Sequence, residues 1–280
     1  MSRFWSNILL AFVSLVLCSA CDKMDATSGK GELPTAGVLT NGAFSVAKGK
    51  QVYFSQANLQ YNASSNVWRF AEHQYDIIGE DNANISKTYN GWIDLFEWGT
   101  SGYKNVYPYG NKDGYSIEKD IAGTKSDWGV YNKISNGGNK ANLWRTLTSK
   151  EWDYLLTGRP HCDELYARGC VESSFGLILL PDNWVQPENL DFSPQTSGWY
   201  GNYYTLDEWS QMEANGAVFL PTCGSRLGST VDHVNITGNY WTSSIGDSFN
   251  SYCLDFGCGN VNTALAAYAY GYGVRLVCDL

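Results

Sequence analysis

SYCLDFGCGNVNTALAAYAYGYGVRLV, residues 251–277, joins a clear strand pattern to an irregular stretch of small residues and tyrosines. Its only charged residues are Asp255 and Arg275. The closing segment YGVRLV (272–277) is typical of a framework strand, whereas ALAAYAYGY (264–272) follows no core period. The stretch therefore predicts strands of a folded core, interrupted by residues that the core does not require.

The segment YCLDFG shows how these two roles alternate along one strand. Successive side chains of a strand point to opposite sides, so every second residue shares a face. One face is apolar and is predicted to be buried: Tyr252, Leu254 and Phe256. The other carries three chemically unrelated residues, which we expect to be exposed and free to vary: Cys253, Asp255 and Gly257.

The composition favours a loop-rich protein with much β-structure. Of 280 residues, 44% are hydrophobic and 15% aromatic, which is enough to bury one sizeable core. Only 17% are charged, while 29 Gly and 19 Tyr are more typical of loops and strands than of a helical bundle. A formal net charge of −9, without an extended basic cluster, argues against nucleic acid as a partner.

The first 21 residues predict an export signal. Arg3 precedes the apolar run ILLAFVSLVL (8–17), which is too short to span a bilayer. Small residues then lead to Cys21, in a pattern that resembles the lipobox of bacterial lipoproteins, so Cys21 is the expected lipidation site. Ordinary secretion is the alternative. The expected location is the outer membrane or cell surface, with the lipid anchor as the membrane contact.

The rest of the chain predicts a single α+β domain. Residues 22–37 are polar, contain Gly and Pro, and are typical of a flexible tether, so the domain is expected to span 38–280. The best helix lies in LWRTLTSKEWDYLLTG (143–158), where Thr148 and Glu151 have the spacing of a capping box. The other predicted elements are a hairpin in 42–62, a short helix in 205–216, and strands in 176–184, 217–226, 238–244 and 272–277.

Six cysteines follow the signal segment, at positions 162, 170, 223, 253, 258 and 278. An exported protein meets oxidising conditions, and six cysteines allow 15 pairings. Cys162 and Cys170 lie in one polar stretch and are the best local pair, whereas a bond between Cys253 and Cys258 stays open. There is no CxxC pair and the three histidines are scattered, so neither a metal nor a cofactor is predicted.

Several segments, taken in order, resemble a known family. This series of segments is similar to exported proteins with a C-type lectin fold and a sulfatase-modifying-factor-like domain, a group related to the formylglycine-generating enzymes. Within it, the likeness is to variable proteins that diversity-generating retroelements rewrite. The resemblance implies a loop-rich C-type lectin fold for 38–280. The segments include VYFSQANLQY (52–61), YNGWIDLFEWGTSG (89–102), DWGVYNKISNGG (127–138), LWRTLTSKEW (143–152) and YGVRLV (272–277).

The resemblance also implies a ligand-binding face near the C-terminus. In such variable proteins, adenines of AAY codons are substituted, which cannot produce Lys, Glu, Gln, Met or Trp. Residues 245–273 contain none of these five, although four of them are absent from residue 214 onward and only the loss of Trp after Trp241 is local. The expected variable region is 245–272. Its expected contact residues are Ile245, Gly246, Asp247, Phe249, Asn250, Cys253, Asp255, Gly257, Asn260, Ala264, Ala266, Tyr268 and Tyr270.

The predicted function is therefore ligand binding at a surface, not catalysis. The expected ligand is a protein or glycan on another cell, a phage or a host surface. One alternative is an adhesin or lectin of the same fold that is not diversified. Another is a copper-dependent oxidase of the formylglycine-generating type, because Cys253 and Cys258 have the gap of that family's cysteine pair. Against it, Arg-rich flanks are missing and Ser248 occupies the position expected for the first cysteine.

Overall fold

Short strands, separated by loops rich in Gly and Asn, make up most of the structure. The computed structural model describes residues 33–109, 119–257, 259 and 261–280, which form a mixed α/β chain of mostly sheet. This agrees with the predicted loop-rich α+β class. The export signal, Cys21, tether residues 22–32, Cys258 and Asn260 lie outside the described residues. The helices are α1 (Trp128–Tyr131), α2 (Ser149–Asp153) and α3 (Leu206–Ala214).

The strands are short, and many change direction at glycine or asparagine. The first eight are β1 (Phe44–Ala47), β2 (Lys50–Phe54), β3 (Leu59–Asn62), β4 (Val67–Phe70), β5 (Phe96–Glu97), β6 (Arg145–Thr146), β7 (Tyr166–Val171) and β8 (Ser174–Leu179). The others are β9 (Tyr203–Tyr204), β10 (Val218–Pro221), β11 (Ser225–Leu227), β12 (Thr230–Asp232), β13 (Gly238–Ile245), β14 (Asn250–Phe256), β15 (Asn262–Ala267), β16 (Tyr270–Tyr272) and β17 (Leu276–Asp279).

The predicted N-terminal hairpin is present as β1 and β2. It turns at Gly49, whose φ of 73° lies in the left-handed region that glycine adopts without strain. This hairpin belongs to a sheet in the order β1-β2-β17-β6. Within that sheet Val277 of β17 pairs with Phe54 on one side and Arg145 on the other. The two ends of the folded region therefore meet in one sheet.

The helices begin where the sequence predicts. Thr148 caps α2, and its hydroxyl accepts a hydrogen bond from the Glu151 backbone while the Glu151 carboxylate accepts one from the Thr148 backbone. A π-helical turn continues α2 to Gly158 and buries Leu155. Thr205 and Glu208 form the same capping box at α3, so both predicted helices are confirmed.

The C-terminal strands form a sheet in the order β13-β14-β15, of which β13 and β14 pack between two cores. We name the first core by Trp68, Phe96, Trp98, Trp128, Trp241 and Cys253, and the second core by Phe54, Leu155, Leu177, Tyr240, Leu254 and Phe256. Alternate residues of β13 and β14 therefore pack into different cores. As a result the central strand β14 has no freely exposed face over most of its length.

This double burial corrects one prediction about β14. Leu254 and Phe256 are fully buried as expected. Cys253 is buried too, with 2% exposure, because it packs in the first core between its cross-strand neighbours Trp241 and Ala264. Gly257 is also buried. The prediction that Cys253 and Gly257 belong to an exposed face is wrong.

Three further expectations also differ from the structure. Cys162 and Cys170 are both free, because β7 carries Cys170 into the interior of a sheet. The segment 272–277 is split between β16 and β17, since residues near Gly273 leave one sheet and bridge to Tyr240 before joining another. Packing also begins before residue 38, because Pro34 is buried.

Two buried carboxylates make the stability depend on pH. Asp94 and Asp127 are at most 1% exposed, and burial raises the pKa of each from 3.8 to about 6. A folded pKa above the unfolded one means that the folded state holds the proton more tightly. The free energy of unfolding is therefore expected to rise by about 1 kcal/mol for each carboxylate when the pH falls from about 7 to about 5.

The Asp94→Asn variant tests this pH dependence by urea unfolding. Asp94 Oδ1 accepts a hydrogen bond of 2.9 Å from Asn82, which an Asn side chain preserves, while Oδ2 has no partner in the described structure. About half of the stability gain between pH 7 and pH 5 should disappear in this variant. An unchanged gain would show that Asp94 does not titrate in this window. Below about pH 3.8 the gain should reverse: although burial alone would raise the pKa of Glu151, hydrogen bonds from Arg145 and Lys50 lower it to about 2.

Candidate functional site

The predicted variable region is built from the β13–β14 hairpin, β15 and the turn into β16. Its residues differ widely in exposure. Gly246, Asp247 and Phe249 are exposed, whereas Ile245, Asn250, Asp255, Ala264, Ala266, Tyr268 and Tyr270 are half-buried. Cys253 and Gly257 are buried, and Asn260 is outside the described residues. Exposure therefore separates the predicted contact residues into a hairpin tip, a half-buried group and two interior positions.

The hairpin tip is held by Asp247. Its Oδ1 atom accepts hydrogen bonds from the backbone N–H of Phe249 at 2.8 Å and of Asn250 at 3.0 Å, and both carboxylate oxygens accept from Asn250 Nδ2. The Phe249 bond is the leading cause that holds the pKa of Asp247 below its usual range. The Gly246 N–H also donates to the Asn250 carbonyl at 2.9 Å. This ordered turn presents the Phe249 ring, which is 76% exposed, to solvent.

Four of the half-buried residues share the first core as their packing partner. Ala264, Ala266, Tyr268 and Tyr270 all pack against the first core. The alanines follow β15 at alternate positions, in register with Cys253 and Ser251 of β14. We call these four residues, together with Ile245, which packs against the same core, the contact face.

The two tyrosines of the contact face are held by aromatic neighbours. Tyr268 stacks on Trp98 with ring centroids 5.8 Å apart, and its hydroxyl donates to the Ser248 carbonyl of the hairpin tip. Tyr270 stacks on Tyr272 with centroids 5.7 Å apart, and Tyr272 in turn packs on Trp241. These contacts fix the rings before any ligand arrives.

Asp255 lies on the same side of β14 as Cys253. Its cross-strand neighbours are Asn239 of β13 and Asn262 of β15. Burial raises the pKa of Asp255 above its ordinary value. Within the described residues no side chain donates a hydrogen bond to this carboxylate, so it keeps its accepting capacity for a ligand.

Arg168 is a structural residue of this region that the sequence reasoning missed. It lies on β7, is 7% exposed, and donates to the backbone carbonyls of Gly257 and Gly259 after β14. A buried cation on a neighbouring sheet thus positions the connection from β14 to β15. The only sequence signal was an arginine inside the otherwise apolar strand YARGCV (166–171).

The cysteine pair of the copper-oxidase alternative is only half described. Burial raises the pKa of the Cys253 thiol to about 12, and Cys258 lies outside the described residues. In residues 33–109, 119–257, 259 and 261–280, no group of three or more His, Cys, Asp or Glu side chains is placed to hold one metal ion. Across the same ranges, no helix combines the length and the apolar character that crossing a bilayer requires.

Comparison with known proteins adds no relative. No family, no characterised protein and no solved structure matches this chain.

Proposed function

We propose that this chain is a surface-displayed binding protein with a C-type lectin fold, whose contact face recognises a protein or glycan on another cell, a phage or a host. The observation that supports it most is that Ala264, Ala266, Tyr268 and Tyr270, which were selected as contacts from sequence, all pack against one core while staying partly exposed. Lipidation of Cys21 and display at the outer membrane or cell surface are part of the same proposal.

The chemistry of the contact face supports binding. Tyrosine supplies a large amphipathic surface with few rotatable bonds, and a ring that is already stacked loses little entropy on binding. Tyr268 and Tyr270 fit this description because both rings have aromatic partners. The small side chains of Ala264 and Ala266 leave room between them for groups of a ligand.

In the first form of the proposal, a diversity-generating retroelement rewrites the residues of the contact face. Sequencing the gene from many cells of one population should find adenine substitutions confined to codons 245–272. The neighbouring genes should include a reverse transcriptase and a template repeat that matches codons 240–277. Because Cys253 is buried beside Trp241, we expect only small residues to replace it, while the exposed Phe249 should vary freely.

Substitutions that are absent, or that spread evenly over 38–280, would contradict diversification. They would favour the second form, a fixed adhesin or lectin of the same fold. One observation favours that form: Tyr268 is matched to Trp98 and to the Ser248 carbonyl, a set of contacts that most substitutions at position 268 would lose.

A further inference from the structure

A polar cleft opens on the other side of the C-terminal sheet. Its lining residues are Ser149, Lys150 and Asp153 of α2, Ser244, Ile245 and Tyr252 of β13 and β14, and also Asp120 and Thr148. Its volume is about 400 Å³, within the range of about 300–1,000 Å³ typical of small-molecule sites. Ile245 is the one lining residue that was among the predicted contacts.

The polar side chains of the cleft are fixed by bonds to the scaffold. Asp120 Oδ1 accepts from the Ile245 N–H at 2.8 Å, and Asp153 Oδ1 accepts from Thr263 Oγ1 at 2.8 Å. The Ser244 hydroxyl accepts from the Ser149 N–H at 3.1 Å. Each carboxylate is therefore oriented by one oxygen and keeps its second oxygen for another donor.

Hydrogen-bond donors also line the cleft. The Lys150 ammonium, the Ser149 hydroxyl and the Tyr252 hydroxyl make no hydrogen bond with another side chain or backbone group in the described part of the chain. The cleft thus alternates acceptors with donors over a short distance. A ligand with several adjacent hydroxyl groups matches this arrangement, because each hydroxyl both donates and accepts.

Charge narrows the ligand class. Two carboxylates repel an anion such as phosphate, and Lys150 opposes a multiply charged cation. The half-buried Tyr252 ring adds an apolar surface, and Leu265 is its cross-strand neighbour on β15. A neutral ligand ring with hydroxyl groups at its edge and apolar C–H faces would hydrogen-bond to the polar side chains and stack on the Tyr252 ring.

We propose that this cleft binds a neutral saccharide without a metal ion. Tyr252 would stack on the sugar ring, Asp120 and Asp153 would accept from its hydroxyls, and Lys150 would donate. Since Tyr252 and Cys253 are adjacent on β14, their side chains lie on opposite sides of the strand, and the cleft shares only Ile245 with the contact face. The saccharide site is therefore a second site, beyond the proposed function of the contact face.

The proposal is tested by titrating the full chain with galactose, glucose, mannose or N-acetylglucosamine and monitoring binding by saturation-transfer NMR. At least one sugar should bind with a Kd on the order of 1 mM. Asp153→Asn keeps the acceptor for Thr263 and should weaken binding by about 10-fold or more, because a charge-assisted bond is lost. Tyr252→Ala should weaken it by at least as much. Asp207→Asn, an exposed acid on α3, is the matched control and should bind as the wild type does.

Two results of this experiment would overturn the proposal. No saturation transfer from any of the four sugars would overturn the proposal. Binding that survives both Asp153→Asn and Tyr252→Ala, with wild-type melting temperatures, would also overturn it, because the sugar would then sit elsewhere. If Asp153→Asn proves unstable, Lys150→Met replaces it with the same expected loss. Failure of the cleft leaves the contact face untouched, since these substitutions do not change Tyr268 or Tyr270.

Discussion

Replacing Cys253 with aspartate should destabilise the domain by about 4 kcal/mol or more, or prevent folding altogether. The thiol is 2% exposed between Trp241 of β13 and Ala264 of β15, and burial already raises its pKa to about 12. A carboxylate at this position would lose its hydration without gaining a counter-charge from the first core. Urea unfolding followed by tryptophan fluorescence measures the effect.

Two controls define the result for Cys253. Cys253→Ala should cost less than about 1.5 kcal/mol, because only a small volume is lost. Ala269→Asp, in the exposed turn before β16, should change stability by no more than about 0.5 kcal/mol. A Cys253→Asp variant that is as stable as Ala269→Asp would mean that β14 is exposed on this side, and would restore the original prediction for Cys253.

Phe256→Ala should cost about 3–5 kcal/mol of unfolding free energy. The ring is fully buried in the second core, lies parallel to Tyr240 with centroids 6.0 Å apart, and fills the space above Gly238. Its removal leaves a cavity that the backbone of Gly238 cannot close without moving the β13–β14 pair. Chemical denaturation gives the change in midpoint and slope.

Phe249→Ala is the matched control for Phe256, since it removes the same ring from the same hairpin. Phe249 is 76% exposed, so the substitution should change stability by no more than about 0.5 kcal/mol. Equal destabilisation by both variants would contradict the division between core strand and hairpin tip.

Local signals explain what was predictable about the fold. The capping box at Thr148 acts within four residues, so sequence alone locates the start of α2, whereas for α3 the sequence left Thr205 and Asp207 open as caps. Alternation along β14 likewise predicts two faces, and Leu254 and Phe256 are buried as expected. Alternation does not reveal whether the second face is also covered. Trp98 and Trp241, which cover it, come from segments far apart in the chain.

The features that the sequence did not predict depend on residues that are far apart in the chain. Cys162 and Cys170 are near in sequence, but β7 directs Cys170 into a sheet, so proximity along the chain predicted a bond that does not form. The cleft assembles Asp120, Lys150 and Tyr252 from three distant segments, none of which carries a local motif. Ala264, Ala266, Tyr268 and Tyr270 of the contact face are close in sequence, so a local pattern was enough to group them.

The position of β17 controls when the domain can fold. This strand, Leu276–Asp279, is inserted between β2 and β6, so the hairpin of residues 44–54 lacks its inner neighbour until the chain has been synthesised to residue 279. Pairings of such large sequence separation also slow folding, because a long loop must close first. In a nascent chain of this topology, the sheet of β1, β2, β17 and β6 can therefore be completed only after almost all of the folded region has been synthesised.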